Sequence, residues 1–220
     1  MTTIYVDNAA TTQLSDTALE AMKPMMQEIY GNPSSLHHIG QIAKEHLEDA
    51  RARAAKCINA NPNEIYFTSG GSEADNQAII TAAYNGAKKG KKHIISSKFE
   101  HHAVLHTLDK LSKEGFEIHL LDVYSDGIIK IEDVKNALRD DTALVTIMTA
   151  NNEVGTIQPI KEIGAVCKEK GVLFHTDAVQ GFGHIPIDVV DMNIDISKPL
   201  HHNSYHLPGI PQLFLISHQE

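Results

Sequence analysis

The residues best suited to chemistry follow directly on short apolar runs. His175-Thr176-Asp177-Ala178-Val179-Gln180 comes after Gly171-Val172-Leu173-Phe174, which places Asp177 at the carboxyl end of a buried strand, where open α/β sheets hold their ligands. Burying a carboxylate costs several kcal/mol or more unless a cation or several donors compensate, so Asp177 either meets a cation or is kept for chemistry. Thr68-Ser69-Gly70-Gly71-Ser72-Glu73 also leaves a strand and enters a helix. Its glycines allow close backbone approach, and the helix N-terminus at Gly71 and Ser72 can receive an anion such as a phosphate. The alternative is a plain glycine-rich turn with Ser72 as helix N-cap. Neither the Walker lysine nor the dinucleotide glycine spacing is present, which disfavours a nucleotide.

Two further clusters lie at strand ends. In Glu100-His101-His102 the first histidine could cap a helix, act as a general acid or base, stack on a flat ligand, or simply face solvent. In Thr149-Ala150-Asn151-Asn152-Glu153-Val154-Gly155 the amide of Asn152 can hydrogen-bond a ring substituent, or the asparagines can serve an Asx turn before Gly155. His201, His202 and His206 lack a carboxylate or cysteine at ligand spacing, so no metal is expected.

The elements that must position these residues alternate. Strands are predicted at 4–6, 65–68, 93–95, 117–121 and 143–148, with a last one running into Asp177. Helices are predicted from Ser15 as N-cap to about Tyr30 with a kink at Pro24, and over 41–58, 73–84, 101–111, 132–138 and 160–168. Strands separated by helices require crossovers, so the expected fold class is α/β: a mainly parallel sheet with helices on both faces. After Asp195 the chain turns rich in His and Pro and loses any clear period until the apolar run Leu213-Phe214-Leu215-Ile216.

Taken together, an anion cradle, a stacking ring, an amide donor and a buried acid on one sheet edge suit a flat phosphorylated heteroaromatic with a basic ring nitrogen. Pyridoxal 5'-phosphate (PLP) is such a molecule. Its pyridinium would be the cation that Asp177 awaits, and an acid there keeps the ring an electron sink.

The strings Tyr5-Val6-Asp7-Asn8-Ala9-Ala10-Thr11-Thr12, Tyr30-Gly31-Asn32-Pro33-Ser34-Ser35-Leu36-His37, Phe67-Thr68-Ser69-Gly70-Gly71-Ser72-Glu73, Glu100-His101, Ala150-Asn151-Asn152-Glu153-Val154-Gly155-Thr156 and His175-Thr176-Asp177-Ala178-Val179-Gln180 resemble the NifS/IscS-type cysteine desulfurases. These are class V aminotransferase-like enzymes of PLP fold type I. The resemblance implies a PLP-dependent transferase-like large domain over residues 1–197 with its N-terminal segment, a divergent tail over 198–220, and no small C-terminal domain. It implies that Gly71 and Ser72 bind the cofactor phosphate, that His101 stacks on the ring and serves catalysis, and that Asn152 faces the ring hydroxyl. Asp177 would pair with the ring nitrogen, Gln180 with the phenolic oxygen, and His202 would also belong to the cofactor site. Asn8, Ala9 and Asn32 match substrate-side positions. The implied reaction takes sulfur from L-cysteine, giving L-alanine and an enzyme persulfide, for iron-sulfur cluster or thiolation pathways. The implied partners are a second copy of the chain as a homodimer and a sulfur-acceptor or scaffold protein.

The match departs from the family at one place. Counted from Asp177, Leu200, His201, His202 and Asn203 occupy the Ser-x-His-Lys segment, so the Schiff-base lysine position is Asn203, and an amide cannot make that bond. Cys57 and Cys167 fall in helical patterns and match helix positions of the family, not its sulfur-accepting cysteine loop, so both read as buried or half-buried helix cysteines. Three readings follow: a cysteine desulfurase large domain without turnover as this chain, a non-catalytic homologue that binds PLP or pairs with a full-length subunit, or another class V lyase or aminotransferase on the same fold.

Bulk properties agree with a globular protein that is neither a nucleic-acid nor a membrane binder. The 220 residues are 42% hydrophobic and 21% charged with a formal net charge of −9, the wrong sign for a phosphate backbone. The basic run 88–92 lacks aromatic interleaving and reads as a solvated loop. No apolar run approaches the ~18 residues of a membrane span, no signal peptide precedes the first elements, and two cysteines without a framework suit a reducing, cytoplasmic compartment.

Overall fold

The computed structural model describes residues 4–8, 10–198 and 212–216. Helix α1 (Asp16–Gln27) starts where expected, the Ser15 hydroxyl accepting from Ala18 N at 3.2 Å. It closes before Tyr30, Glu28 N and Ile29 N both returning to the Pro24 carbonyl at 2.8 Å. Helix α2 (His38–Cys57) begins three residues before the predicted Gln41, because His37 Nδ1 accepts from Gly40 N at 3.3 Å and supplies the cap. The predicted strand at 4–6 does not form. Ile4 and Val6 are 81% and 84% exposed, and no described strand pairs with them. Without a ladder partner an apolar, β-branched run has nothing to hold it as a strand.

From residue 65 the alternation holds: β1 (Ile65–Thr68), α3 (Gly71–Ala87), β2 (His93–Ser97), α4 (His102–Lys113), β3 (Glu117–Leu121), α5 (Ile131–Ala137), β4 (Thr142–Thr146), α6 (Ile160–Lys170), β5 (Leu173–Asp177), β6 (Ile196–Lys198) and β7 (Gln212–Ile216). They build one seven-stranded sheet in the order β1-β7-β6-β5-β4-β2-β3. Strand β7 runs antiparallel to both β1 and β6, and all other pairs are parallel. The mainly parallel α/β expectation is thus borne out, and the apolar run at 213–216 proves to be the strand that joins β1 to the rest.

Neighbouring residues of the central strands divide between the two faces, as a period of two requires. Ile94 and Leu144 pack with Ala78, Ala82, Val104 and Leu108 of α3 and α4. Ile95, Val145 and Phe174 pack with Ala55, Val134, Ile163 and Cys167 of α2, α5 and α6. Helices therefore cover both faces, and the carboxyl ends of β1, β2, β4 and β5 emerge along one edge.

One close approach locks α6 to the segment before β6. A Cβ on Gly164 would lie 1.9 Å from the Met192 carbonyl oxygen, a distance no local adjustment of that backbone relieves. Gly164→Ala is expected to destabilise the chain by about 3 kcal/mol, the upper end for overpacking, as read by the urea unfolding midpoint.

Candidate functional site

Residue Gly70 is extended (φ −176°) and caps α3 with no side-chain hydrogen bond. Ser72 is therefore inside the helix, which corrects the reading of Ser72 as N-cap. A side-chain cap would consume an amide donor at this N-terminus, and its lack suits the amides to an external anion. The Glu73 carboxylate bends away to Ser69, accepting from its N–H and its hydroxyl, each at 2.6 Å. Those bonds hold the Glu73 carboxyl below its ordinary value.

His101 caps α4, its Nδ1 accepting from Ala103 N at 3.1 Å. This shows the capping role among the sequence alternatives, and a neutral ring with Nδ1 accepting carries its proton on Nε2. Ser72 and His101 share a cleft of about 450 Å³ with Asn76, His102, His106 and Lys110. Ile80, Ala103 and Thr107 complete the lining, to which Lys110 adds an ammonium group.

Asn151 makes the Asx turn, its Oδ1 accepting from Glu153 N at 2.9 Å and Val154 N at 3.0 Å. Asn152 is then left half-buried beside Gln180 in a second cleft of about 450 Å³ that also includes Glu153, Val154 and His184. The ladder between β4 and β5 continues past the strands through Ile147 N to His175 O and Thr149 N to Asp177 O, at 3.1 and 2.8 Å. That continuation carries the asparagine turn to the end of β5.

Asp177 closes β5, 5% exposed, with Oδ1 accepting from Val179 N at 3.0 Å. A second buried acid near it is Glu100, which stands in the sequence only as part of the His101 string. Glu100 is buried, and its Oε1 accepts from the Ser97 hydroxyl at 2.6 Å and from Met148 N at 3.1 Å. Burial pushes the Glu100 carboxyl up to about 8 against the pull of those two donors, and the charge of Asp177 pushes the same way. Glu100 is therefore a neutral acid at pH 7. It bridges the His101 loop to the end of β4, a bridge doubled by Asn151 Nδ2 donating to the Phe99 carbonyl at 3.1 Å.

The predicted site residues thus fall into groups. Ser72 and His101 line one cleft and Asn152 and Gln180 another. Gly71 and Asp177 are buried at strand-to-helix and strand-end positions of the same sheet edge. Asn8 and Asn32 are exposed, outside both clefts, and Asn32 Oδ1 accepts from Ser34 N at 2.9 Å in a local turn. Ala9, His202 and Asn203 lie outside the described residues. Among the described residues no group of three or more His, Cys, Asp or Glu is placed to hold a metal, and no helix is long and apolar enough to cross a membrane.

The cysteines part company. Cys167 is buried and its thiol is pushed up to about 12, chiefly by burial. Cys57 is exposed at the end of α2, against the expectation of a buried or half-buried side chain. A disulfide reagent is expected to label Cys57 in the folded chain and to reach Cys167 only on denaturation, as counted by intact mass.

The aminotransferase class-V family model matches residues 4–213. A cysteine desulfurase IscS of Clostridium botulinum (strain Hall) is 52% identical over 212 residues, covering 96% of this chain and 53% of that protein. Among solved structures, a NifS-like protein superposes with a TM-score of 0.89 at 40% identity, covering 96% of this chain and 57% of its own. The structure of SspA in complex with cysteine superposes with a TM-score of 0.90 at 40% identity, covering 97% and 61%. The chain spans about half the length of the curated relatives it matches.

Proposed function

The chain belongs to the class-V aminotransferase family, and from that premise we propose that its strand-end site holds PLP as the large domain of a cysteine desulfurase. The observation that carries the reading is the pairing of two opposite requirements on one edge. A helix N-terminus capped at Gly70 without a side-chain hydrogen bond offers amide donors, and Asp177 offers a buried carboxyl group. A molecule with phosphate at one end and a protonatable ring nitrogen at the other answers both, so the residues present fit the cofactor.

In this reading the Gly71 and Ser72 amides and the Ser72 hydroxyl hold the phosphate, and Asp177 holds the proton on the ring nitrogen. His101 would stack on the ring, Asn152 would face its hydroxyl side, and Gln180 would hydrogen-bond the same phenolic oxygen. Bound there, PLP supplies an electron sink for carbanions formed on an amino acid. Asn8, Ala9 and Asn32 would meet the substrate carboxylate side, and His202 the cofactor side. L-cysteine is the proposed substrate, supported by the desulfurase relatives and by a neighbour solved in complex with cysteine.

We further propose that the protein works in the cytoplasm as a homodimer that passes sulfur to an acceptor or scaffold protein. Residues 1–197 would be its large domain and 198–220 a divergent tail. With Asn203 where the family places its lysine, the 220-residue chain binds PLP without turning over L-cysteine. The test is an absorbance scan of the chain with added PLP, before and after borohydride, beside an assay of sulfide and alanine. Free-aldehyde absorbance displaced by binding, with no product above the protein-free control, is expected. Sulfide or alanine release by the purified chain would refute the lack of turnover, and no spectral change at saturating PLP would refute the cofactor site.

A further inference from the structure

Asp75 and His175 form a buried acid-imidazole pair that none of the roles above uses. Both side chains are 0% exposed, and His175 Nε2 lies 3.7 Å from Asp75 Oδ1. The other ring nitrogen, Nδ1, is 2.8 Å from the Thr146 hydroxyl on β4. Asp75 follows Gly71 by one turn of α3, and His175 precedes Asp177 by two positions on β5, so the His175 and Asp177 side chains share a face of the sheet. The pair therefore joins the first turns of the helix whose N-terminus is proposed to receive the phosphate to the strand whose end carries the acid.

A buried acid beside an imidazole is a weak source of net stability, because desolvation offsets most of their attraction, and apolar residues of similar volume often serve cohesion as well. What such a pair supplies is a fixed geometry. We propose that Asp75 and His175 are positioning residues: a buried tether that sets the separation between the anion-binding N-terminus of α3 and the Asp177 carboxylate. It tunes the site to a ligand that engages both ends at once. This rests on the PLP reading above. A ligand bridging two half-sites gains from their correct spacing, whereas a fragment that occupies one half-site does not.

The test compares the chain with its Asp75→Asn and His175→Gln variants and the double variant. It uses three probes, PLP, pyridoxal and inorganic phosphate, and thermal unfolding of each protein. Each single variant is expected to bind PLP roughly tenfold more weakly, the lower end of what loss of an orienting partner costs at metal sites. The double variant should lose about as much as either single, since the two act as a unit. Binding of pyridoxal and of inorganic phosphate should change by less than about twofold, because a one-ended probe does not sense the spacing. Thr146→Val, which removes only the outer hydroxyl and spares the pair, is expected to weaken PLP roughly threefold and serves if a core variant fails to fold. PLP affinity unchanged in the folded variants, or all three probes weakening in parallel with thermal stability, would overturn the tether while leaving the cofactor reading intact. Failure of the unsubstituted chain to bind PLP would overturn both.

Discussion

Glu100→Gln is expected to flatten the dependence of stability on pH between about 4.5 and about 8, and to leave the variant more stable than the parent at the alkaline end. The Glu100 carboxyl titrates near 8 in the folded chain against an ordinary 4.5, burial being the main cause. Through that window the folded state keeps a proton that the unfolded state has lost, so stability falls as pH rises. It is fully present below the unfolded value and gone above the folded one. At 1.36 kcal/mol per pK unit the whole effect is about 5 kcal/mol, comparable to the total stability of a small domain. Gln keeps an oxygen to accept from Ser97 and Met148 but carries no proton to lose. Urea unfolding of both proteins at several pH values checks this. The same downward slope in the variant would show that Glu100 is not the titrating group. With saturating PLP the midpoint in the parent should move to lower pH, because a pyridinium at Asp177 offsets the negative charge that helps raise Glu100.

The second large effect is on the ligand. Asp177→Asn preserves shape and the bond from Val179 N while removing the charge. Loss of one partner of a buried charge pair costs about 2 to 5 kcal/mol, so PLP affinity should fall at least about thirtyfold. Inorganic phosphate, which meets only the α3 end, should bind the variant as it binds the parent. Titration calorimetry with both ligands separates the outcomes, and equal loss of both would mean that the substitution had disturbed the fold.

Much of this was legible in the chain because it depended on local pattern. The strand-helix alternation from Ile65 to Asp177 is a matter of period, and the site residues follow the strands that carry them. What failed depended on partners distant in sequence. Ile4 to Val6 has strand composition but no described strand beside it, whereas Leu213 to Ile216, in an aperiodic tail, finds both β1 and β6. The cap of α3 moved from Ser72 to Gly70 because an extended glycine can start a helix without a side-chain bond. Glu100 and the Asp75–His175 pair were hidden for a related reason. An acid or histidine in a turn or helix reads as exposed until folding buries it, and only the apolar neighbours of Asp75, Ala74 and Ala78, hinted that its face was inward.

In the proposed function this chain's strand-end edge binds PLP through its own polar groups, with Asp177 holding the ring nitrogen protonated. The most direct measurement is the 15N chemical shift of ring-labelled PLP bound to the chain at pH 8. The pyridinium shift is expected in the parent, and its loss in Asp177→Asn. A neutral-pyridine shift in the bound parent, or a free-ligand signal that the protein leaves unchanged, would contradict it.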